Sequence, residues 1–252
     1  MPYFCRVNSN HNIMSHQHDI QHFYDTIAAK YDLIFPLSPS HKAFFDSELS
    51  AGQRVLDIGA ATGSLAAYLQ HKGLEVTAID LSESLIAQAR AKGVAVLYKD
   101  MLTIGDLPHT YDAMINIGNT LPHLNGLSTV EHFLQQAHSK LRIGGKLIVQ
   151  VVNFALYLAQ RKEDYLGDLP LIDKPEVRFE RSYYLKDAQT IRFKAVLDSH
   201  LHAEEDLTII TCEQFTELLA KVGFAQVQHY GNFKKEPFDE KTSKALVVVG
   251  NK

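Results

Sequence analysis

The stretch Arg54-Val55-Leu56-Asp57-Ile58-Gly59-Ala60-Ala61-Thr62-Gly63-Ser64-Leu65 decides the reading of this chain. A short apolar run ends in a carboxylate, a loop of small residues follows, and a helix opens. This is a strand, a tight turn and a helix N-terminus in succession. Gly59 and Gly63 permit positive φ and close approach of a ligand to the backbone. The bare amides of the following helix offer donors to an anionic group. Asp57, at the strand end, is placed to accept from a ligand cation. A dinucleotide turn, G-x-G-x-x-G, would need glycine at Ala61 and Ser64. Both are missing, and an acid stands two residues before the first glycine.

Outward from this stretch the period alternates between strand and helix. The first strand is 54–58 and its helix about 63–72. Leu74 to Ile79 is a second strand, ended by Asp80. Ser82 caps a helix with Leu85, Ile86 and Ala89 inward. Val94 to Tyr98 and Tyr111 to Ile117 are the third and fourth strands. Ser128-x-x-Glu131 reads as a capping box for a helix running through Leu141 and stopping near Gly144-Gly145. Lys146 to Val152 is the fifth strand. Such alternation implies right-handed crossovers and a parallel sheet, with ligands beyond the carboxyl strand ends.

After Asn153 the pattern changes. A helix is expected over 154–163. Val177 to Leu185 and Thr190 to Leu201 alternate around Lys186-Asp187-Ala188-Gln189, as antiparallel strands outside the main sheet. Thr211-x-x-Gln214 is a second capping box, whose helix buries Phe215, Leu218, Leu219 and Val222 and ends at Gly223. Phe224 to Tyr230 and Lys244 to Gly250 close the sheet as a hairpin. At the other end, residues 1–15 are polar and expected to carry little fold, with Met14 a candidate start. Ile20, Phe23, Tyr24, Ile27, Ala28 and Tyr31 recur at helical spacing. Ser38 and Pro39 read as N-cap and first residue of a second helix carrying Phe44, Phe45 and Leu49.

A chain of 252 residues with 46% hydrophobic content suits one large α/β domain, or one domain with an insertion. Net charge is −4 with no basic block, which disfavours a nucleic-acid or anionic-membrane surface. No apolar run approaches the roughly 20 residues of a membrane span, and no signal peptide is expected. Cys5 and Cys212 are too few for a disulfide framework and lack metal spacing, so a cytoplasmic setting is expected. His16, His18 and His22 read as an exposed polar helix face rather than a metal site.

Asp80 lies at the end of the second strand, where a carboxylate accepts from both hydroxyls of a ribose. Leu81 is placed to lie on one adenine face. Asp100, with Met101 beside it, follows the third strand and is placed to accept from the adenine amino group. With these acids in register, the opening stretch resembles motif I of class I S-adenosylmethionine-dependent methyltransferases, D-x-G-x-G-x-G. It reads here as Asp57-x-Gly59-x-Ala61-x-Gly63, with alanine for the middle glycine. The resemblance implies S-adenosyl-L-methionine as cofactor, S-adenosyl-L-homocysteine as product, and no metal. It places Tyr31, Asp57, Gly59, Ala61, Gly63, Asp80, Leu81, Asp100, Met101, Asn116 and Ile117 against the cofactor.

Gly118-Asn119-Thr120-Leu121-Pro122-His123-Leu124 looks like the G-N-x-x-x-H-L stretch of glycine and glycine/sarcosine N-methyltransferases. Arg142-x-Gly144-Gly145-Lys146-Leu147, Asn153-Phe154, Phe215-Thr216-Glu217-Leu218-Leu219 and Gly231-Asn232-Phe233-Lys234 extend the likeness. It implies Asn119 and His123 at the methyl-transfer position, His123 as a base or a positioning donor. Tyr24, Asn153, Tyr183 and Tyr184 are implied on the acceptor side. Two departures bear on the acceptor. Val152 stands where those enzymes carry a carboxylate-clamping arginine, and Leu207-Thr208 stands where they carry a tyrosine pair. Glycine is therefore expected to be a poor substrate, unless Arg178 or Arg181 reaches the pocket, and a less acidic, bulkier acceptor is expected.

The expected fold is α/β: a Rossmann-like seven-stranded methyltransferase sheet, mostly parallel with a terminal antiparallel hairpin. The domain covers 16–252, with a helical lid over 16–50 and an antiparallel, substrate-covering insertion over 154–206. The expected function is methyl transfer to a small-molecule acceptor, most simply an amine. The rivals are a small-molecule O-methyltransferase, a non-catalytic cofactor-binding module and a dinucleotide binder. A small-molecule partner is expected, with no nucleic acid and no membrane, and the chain acting as monomer or homodimer.

Overall fold

The computed structural model describes residues 24–25 and 27–252. The expectations for residues 1–23, including the tail over 1–15, the contributions of Ile20 and Phe23 and the three clustered histidines, lie outside the described residues. In chain order come α1 (Tyr31–Ile34), α2 (Pro39–Glu48), β1 (Arg54–Ile58), α3 (Ser64–His71), β2 (Glu75–Asp80), α4 (Glu83–Ala91), β3 (Val96–Tyr98), β4 (Tyr111–Asn116), α5 (Leu127–Lys140), β5 (Leu141–Val152) and α6 (Phe154–Ala159). Then follow β6 (Tyr165–Asp168), β7 (Ile172–Lys174), β8 (Val177–Asp187), β9 (Thr190–Leu197), β10 (Leu201–Thr208), α7 (Cys212–Val222), β11 (Ala225–Tyr230) and β12 (Ala245–Asn251).

The main sheet has seven strands in the order β11-β12-β5-β4-β1-β2-β3. The pairs β1–β2, β1–β4, β2–β3 and β4–β5 are parallel, and β12 runs antiparallel to both β5 and β11. This is the mostly parallel sheet expected from the alternation, with the terminal antiparallel hairpin and seven strands that the resemblance implied. The strand order reverses beside β1, so β1, β2 and β4 open their carboxyl ends into one crevice. Leu56 and Ile58 of β1 face the core between the sheet and α5 and α7, with Phe133, Leu134, Phe215 and Leu219. Val55 faces the other layer, with Phe44, Phe45, Leu65 and Leu69. Burial on both faces explains why these strands read as unbroken apolar runs.

The helix signals worked where a side chain caps. Ser38 accepts from the His41 amide with Pro39 next in line, Ser82 accepts from the Leu85 amide, and Thr211 and Gln214 form the reciprocal box. The box read at Ser128 does not form. Helix α5 starts two residues earlier, its N-cap is Gly126 at φ 84°, and no side chain caps it. Glycine provides the conformation, and Thr208 accepts from the Gly126 amide at 2.9 Å.

The insertion is a second sheet, larger than the two strands expected. Its order is β10-β9-β8-β6, with β7 also on β8. Its inner face carries a separate apolar core including Phe154, Phe179, Tyr183, Ile191, Phe193 and Leu207, against which Tyr24 and Tyr31 pack.

Candidate active site

Two adjoining cavities lie in the crevice beyond β1, β2 and β4, one of about 450 Å³ and one of about 240 Å³. Tyr24, Tyr31, Gly59, Ala61 and His123 line both. Asp80, Leu81, Asp100 and Met101 line the smaller one. Asp57, Ile117, Asn119, Val152 and Tyr183 line the larger.

The turn after β1 is built from its own bonds. The amides of Gly59 and Ala60 both donate to the Ile79 carbonyl, at 2.9 and 3.0 Å, and Gly63 donates to Ala60 at 2.8 Å. The Ala61 amide donates to Asp80 Oδ2 at 2.7 Å, and Ser82 donates to Asp80 Oδ1 at 2.8 Å. These loop amides are spent on the turn itself, and the helix that follows opens at Ser64 with no side chain capping it. Gly59 has φ 74°, and a Cβ there would stand 2.6 Å from Thr120 Cγ2. The glycine is needed for the turn and for the close approach of the loop after β4.

What the turn offers instead is a carboxylate. Asp57 is buried, and its Oδ2 is sealed from solvent with no hydrogen-bond partner among the described residues. Burial, and then the charge of Asp80, push its carboxyl up to about 7. Burial also raises Asp80, against the pull of the Ser82, Ala61 and Leu81 amides and of His123. An orphaned acid calls for a ligand cation, and a second acid on the neighbouring strand suits ribose hydroxyls. A nucleoside ligand with a cationic amino-acid tail fits this donor and acceptor set; a pyrophosphate does not. Asp100 completes the smaller cavity, its Oδ1 capping the Leu102 amide at 2.8 Å. Among the described residues no group of three or more His, Cys, Asp or Glu is arranged to hold a metal.

Four expected site residues stand elsewhere. Gly63 packs its Cα on α4 and the turn that follows it, where a Cβ would lie 2.8 Å from Val94. Asn116 is fully buried and donates to the Ile58 carbonyl at 3.2 Å, tying β4 to β1. Asn153 donates to the Glu240 and Ser243 carbonyls, each at 2.8 Å, anchoring the loop before β12. Tyr184 points to the other face of β8, where its ring meets Tyr165. None of the four lines either cavity. Asn119 does, at φ 64°, but its Oδ1 is taken by the Val152 amide at 2.9 Å, leaving its Nδ2 hydrogens to face a ligand.

Sequence reasoning missed Glu205. It lies on β10 with 2% exposure, lines the larger cavity, and neither carboxylate oxygen has a hydrogen-bond partner among the described residues. Its Oε1 is 3.2 Å from His123 Nδ1 without forming a hydrogen bond, and the two make an ion pair only when the imidazole is protonated. His123 Nε2 is 3.0 Å from the Tyr24 hydroxyl. Burial, with the nearby charge of Glu205, raises the Tyr24 phenol well above its usual range. The phenol therefore stays protonated, and the direction of its hydrogen bond with Nε2 follows the tautomer of the ring. Tyr24, His123 and Glu205 form one chain along the cavity wall.

A second correction concerns charge. Arg181 lines the larger cavity alongside Val152 and Leu207. The pocket therefore has a cation after all, supplied by the second sheet and not by β5. Thr208, the other half of the expected tyrosine-pair position, is turned away and donates to the Leu124 carbonyl at 2.5 Å.

The segment over the cavities is tethered on both sides. Thr62 donates to Asp32 at 2.5 Å, Lys92 also pairs with Asp32, and Lys30 pairs with Asp198 of the turn between β9 and β10 at 2.5 Å.

Residues 55–145 match the model of a methyltransferase domain. Ribosomal RNA small subunit methyltransferase C of Chromohalobacter salexigens is 33% identical over 129 residues, 48% of this chain and 38% of that protein. Glycine/sarcosine/dimethylglycine N-methyltransferase of Actinopolyspora halophila is 25% identical over 211 residues, 78% of this chain and 36% of that protein. The chain thus spans well under half the length of either relative. The structure of the CcbJ methyltransferase of Streptomyces caelestis superposes with a TM-score of 0.78 at 24% identity, covering 91% of this chain and 97% of that one, which shows the shared fold. Among the described residues no helix is long and apolar enough to cross a membrane.

Proposed function

We propose that this chain, built on a methyltransferase domain and the class I methyltransferase fold, moves the methyl group of S-adenosylmethionine to the nitrogen of a small amine. The observation that carries the amine is Glu205: a buried carboxylate, without a hydrogen-bond partner among the described residues, on the wall of the larger cavity and in contact with His123. A buried acid of this kind is relieved by an ammonium or by an imidazolium; an amine acceptor brings the first, and the proton it gives up turns His123 into the second.

In this reading Asp57 holds the cationic tail of the cofactor, Asp80 its ribose, and Asp100, Leu81 and Met101 its base. When bound, the cofactor supplies an activated methyl group on a sulfonium. The rest falls to the protein. Tyr24 and Tyr31 cover the junction of the two cavities and exclude water. The acceptor enters the larger cavity with its ammonium toward Tyr24 and Glu205. Tyr24 takes a proton from the ammonium at its oxygen as it passes its own to His123 Nε2. The imidazolium so formed is stabilised by Glu205 at Nδ1. This is the nucleophile–histidine–carboxylate logic applied to freeing a lone pair. The Asn119 amide hydrogens help orient the acceptor.

The test is an initial-rate screen of amines against alcohols of the same shape, read by S-adenosylhomocysteine release. Amines should turn over and alcohols should not. Turnover of the alcohols alone would replace this reading with oxygen methylation.

A further inference from the structure

We propose that the acceptor carries a carboxylate as well as its amine, and that Arg181 holds that carboxylate. The inference rests on the larger cavity being the acceptor pocket. Arg181 projects from β8 onto the inner face of the second sheet, its Cα opposite Ala195 of β9. The guanidinium lies over the Phe179 ring at 5.2 Å and near the Phe35 ring at 5.8 Å, and one Nη donates to the Pro170 carbonyl at 2.8 Å. The two rings stand at 88° to each other around the guanidinium, whose N–H edge is the part that matches a carboxylate. On that edge Nε is sealed from solvent with no hydrogen-bond partner among the described residues.

The other arginines of this sheet are neutralised. Arg178 pairs with Asp173 and Glu180, and Arg192 with Glu204 and Asp206 on the outer face. Among the described residues no carboxylate pairs with Arg181. A desolvated cation with no counter-ion, facing a cavity, is an unfavourable arrangement that an anionic ligand relieves. Burial accordingly lowers its affinity for its own proton.

The cavity's other uncompensated charge is on the same face. Tyr183 stands opposite Phe193, and Phe193 opposite Glu205, while Arg181, Ala195 and Ala203 form the adjacent row. Two strand spacings and one row put Arg181 and Glu205 roughly 12 Å apart at Cα. They do not pair with each other. One positive and one negative group, held apart on one wall, are complementary to a zwitterion in one orientation: carboxylate to Arg181, ammonium to Glu205 and Tyr24. The arginine replaces, from a different element, the charge that Val152 cannot supply.

The experiment measures binding to the protein saturated with S-adenosylhomocysteine, so that it does not depend on turnover. The probes are glycine, β-alanine, 4-aminobutyrate and 6-aminohexanoate, each with its primary amide. At least one acid should bind ~10-fold or more tighter than its amide. Arg181→Gln should reduce that preference to within about twofold, and Arg181→Lys should keep part of it. Unchanged S-adenosylhomocysteine affinity certifies the fold of each variant. Should Arg181→Gln not fold, the wild type and Arg181→Lys decide alone. Equal binding of acids and amides, no binding of any acid, or a preference that survives in Arg181→Gln would overturn the proposal. Arg181-dependent binding of acids with no methylation of any amine would uphold it and refute the amine reading. Methylation of neutral amines as fast as of acids, without acid preference in binding, would do the reverse.

Discussion

The Asp57 carboxyl makes cofactor binding depend on pH in a direction that can be calculated. Its titration moves from 3.8 to about 7 in the ligand-free site, through burial first and Asp80 second. That corresponds to roughly 4 kcal/mol opposing ionisation. Below about pH 7 the carboxyl keeps its proton, and must release it to meet the ammonium of S-adenosylhomocysteine. Affinity should therefore fall about tenfold from about pH 8 to about pH 6, and be flat above. The same shift acts on folding. The native state binds this proton more tightly than the unfolded chain does, so ligand-free stability declines as pH rises from about 4 to about 7, and the full penalty stands above that. Asp57→Asn removes the titration. The variant should melt higher than the wild type at about pH 8 without ligand, by an amount bounded above by roughly 4 kcal/mol. It should bind S-adenosylhomocysteine weakly and, apart from titration of the ligand itself, independently of pH. Calorimetry at a series of pH values, in buffers of different ionisation enthalpy, reads both affinity and proton release. Equal affinity at about pH 6 and pH 8 in the wild type, or a pH profile retained unchanged in Asp57→Asn, would refute the reasoning.

Three further outcomes are expected. Asp80→Ala should weaken S-adenosylmethionine binding by roughly 1.5–3 kcal/mol for each ribose hydroxyl bond lost, and calorimetric affinity within twofold of wild type in a folded variant would remove the ribose assignment. Glu205→Gln should lower turnover about 10²–10⁴-fold while S-adenosylmethionine affinity stays within about threefold, and a kcat unchanged by the substitution would dismiss Glu205 from the proton path. Amide exchange across residues 27–37 should slow on adding S-adenosylhomocysteine, because Tyr31 lines both cavities and Asp32 is bonded to Thr62 of the cofactor turn; unchanged protection would reduce the segment from a lid to plain packing.

The main sheet was legible because strands buried on both faces and side-chain caps leave local marks. The acids at the ends of β1 and β2 follow from the same register, since a strand end fixes where its carboxylate points. The second sheet was half legible. Strands β8 and β9 show period-two alternation, but β10 does not look like a strand: His202-Ala203-Glu204-Glu205-Asp206-Leu207 reads as a solvated acidic run. Only the pairing of Glu204 and Asp206 with Arg192 on the outer face, and the inward register of Ala203, Glu205 and Leu207, separate the buried acid from its neighbours. A clue was present in the inward apolar residues flanking Glu205 at a spacing of two. Arg181 was named beside Arg178, and only the structure separates them, since Arg178 pairs with Asp173 and Glu180 while Arg181 lines the larger cavity. Asn116 and Asn153 failed in the opposite sense. Polar residues near strand ends were read as ligand groups, whereas their donors meet backbone carbonyls at 3.2 and 2.8 Å, with Asn116 Oδ1 left buried and without a partner among the described residues.

The central claim is methyl transfer to nitrogen on a wall built from Tyr24, His123 and Glu205. The most direct measurement gives the enzyme methyl-labelled S-adenosylmethionine and a bifunctional acceptor such as ethanolamine or β-alanine, and locates the label by NMR in the wild type and in Glu205→Gln. The account predicts label on nitrogen in the wild type, with its rate of appearance strongly reduced in the variant although cofactor still binds. Label on oxygen, or label on nitrogen at the same rate in both proteins, would contradict it.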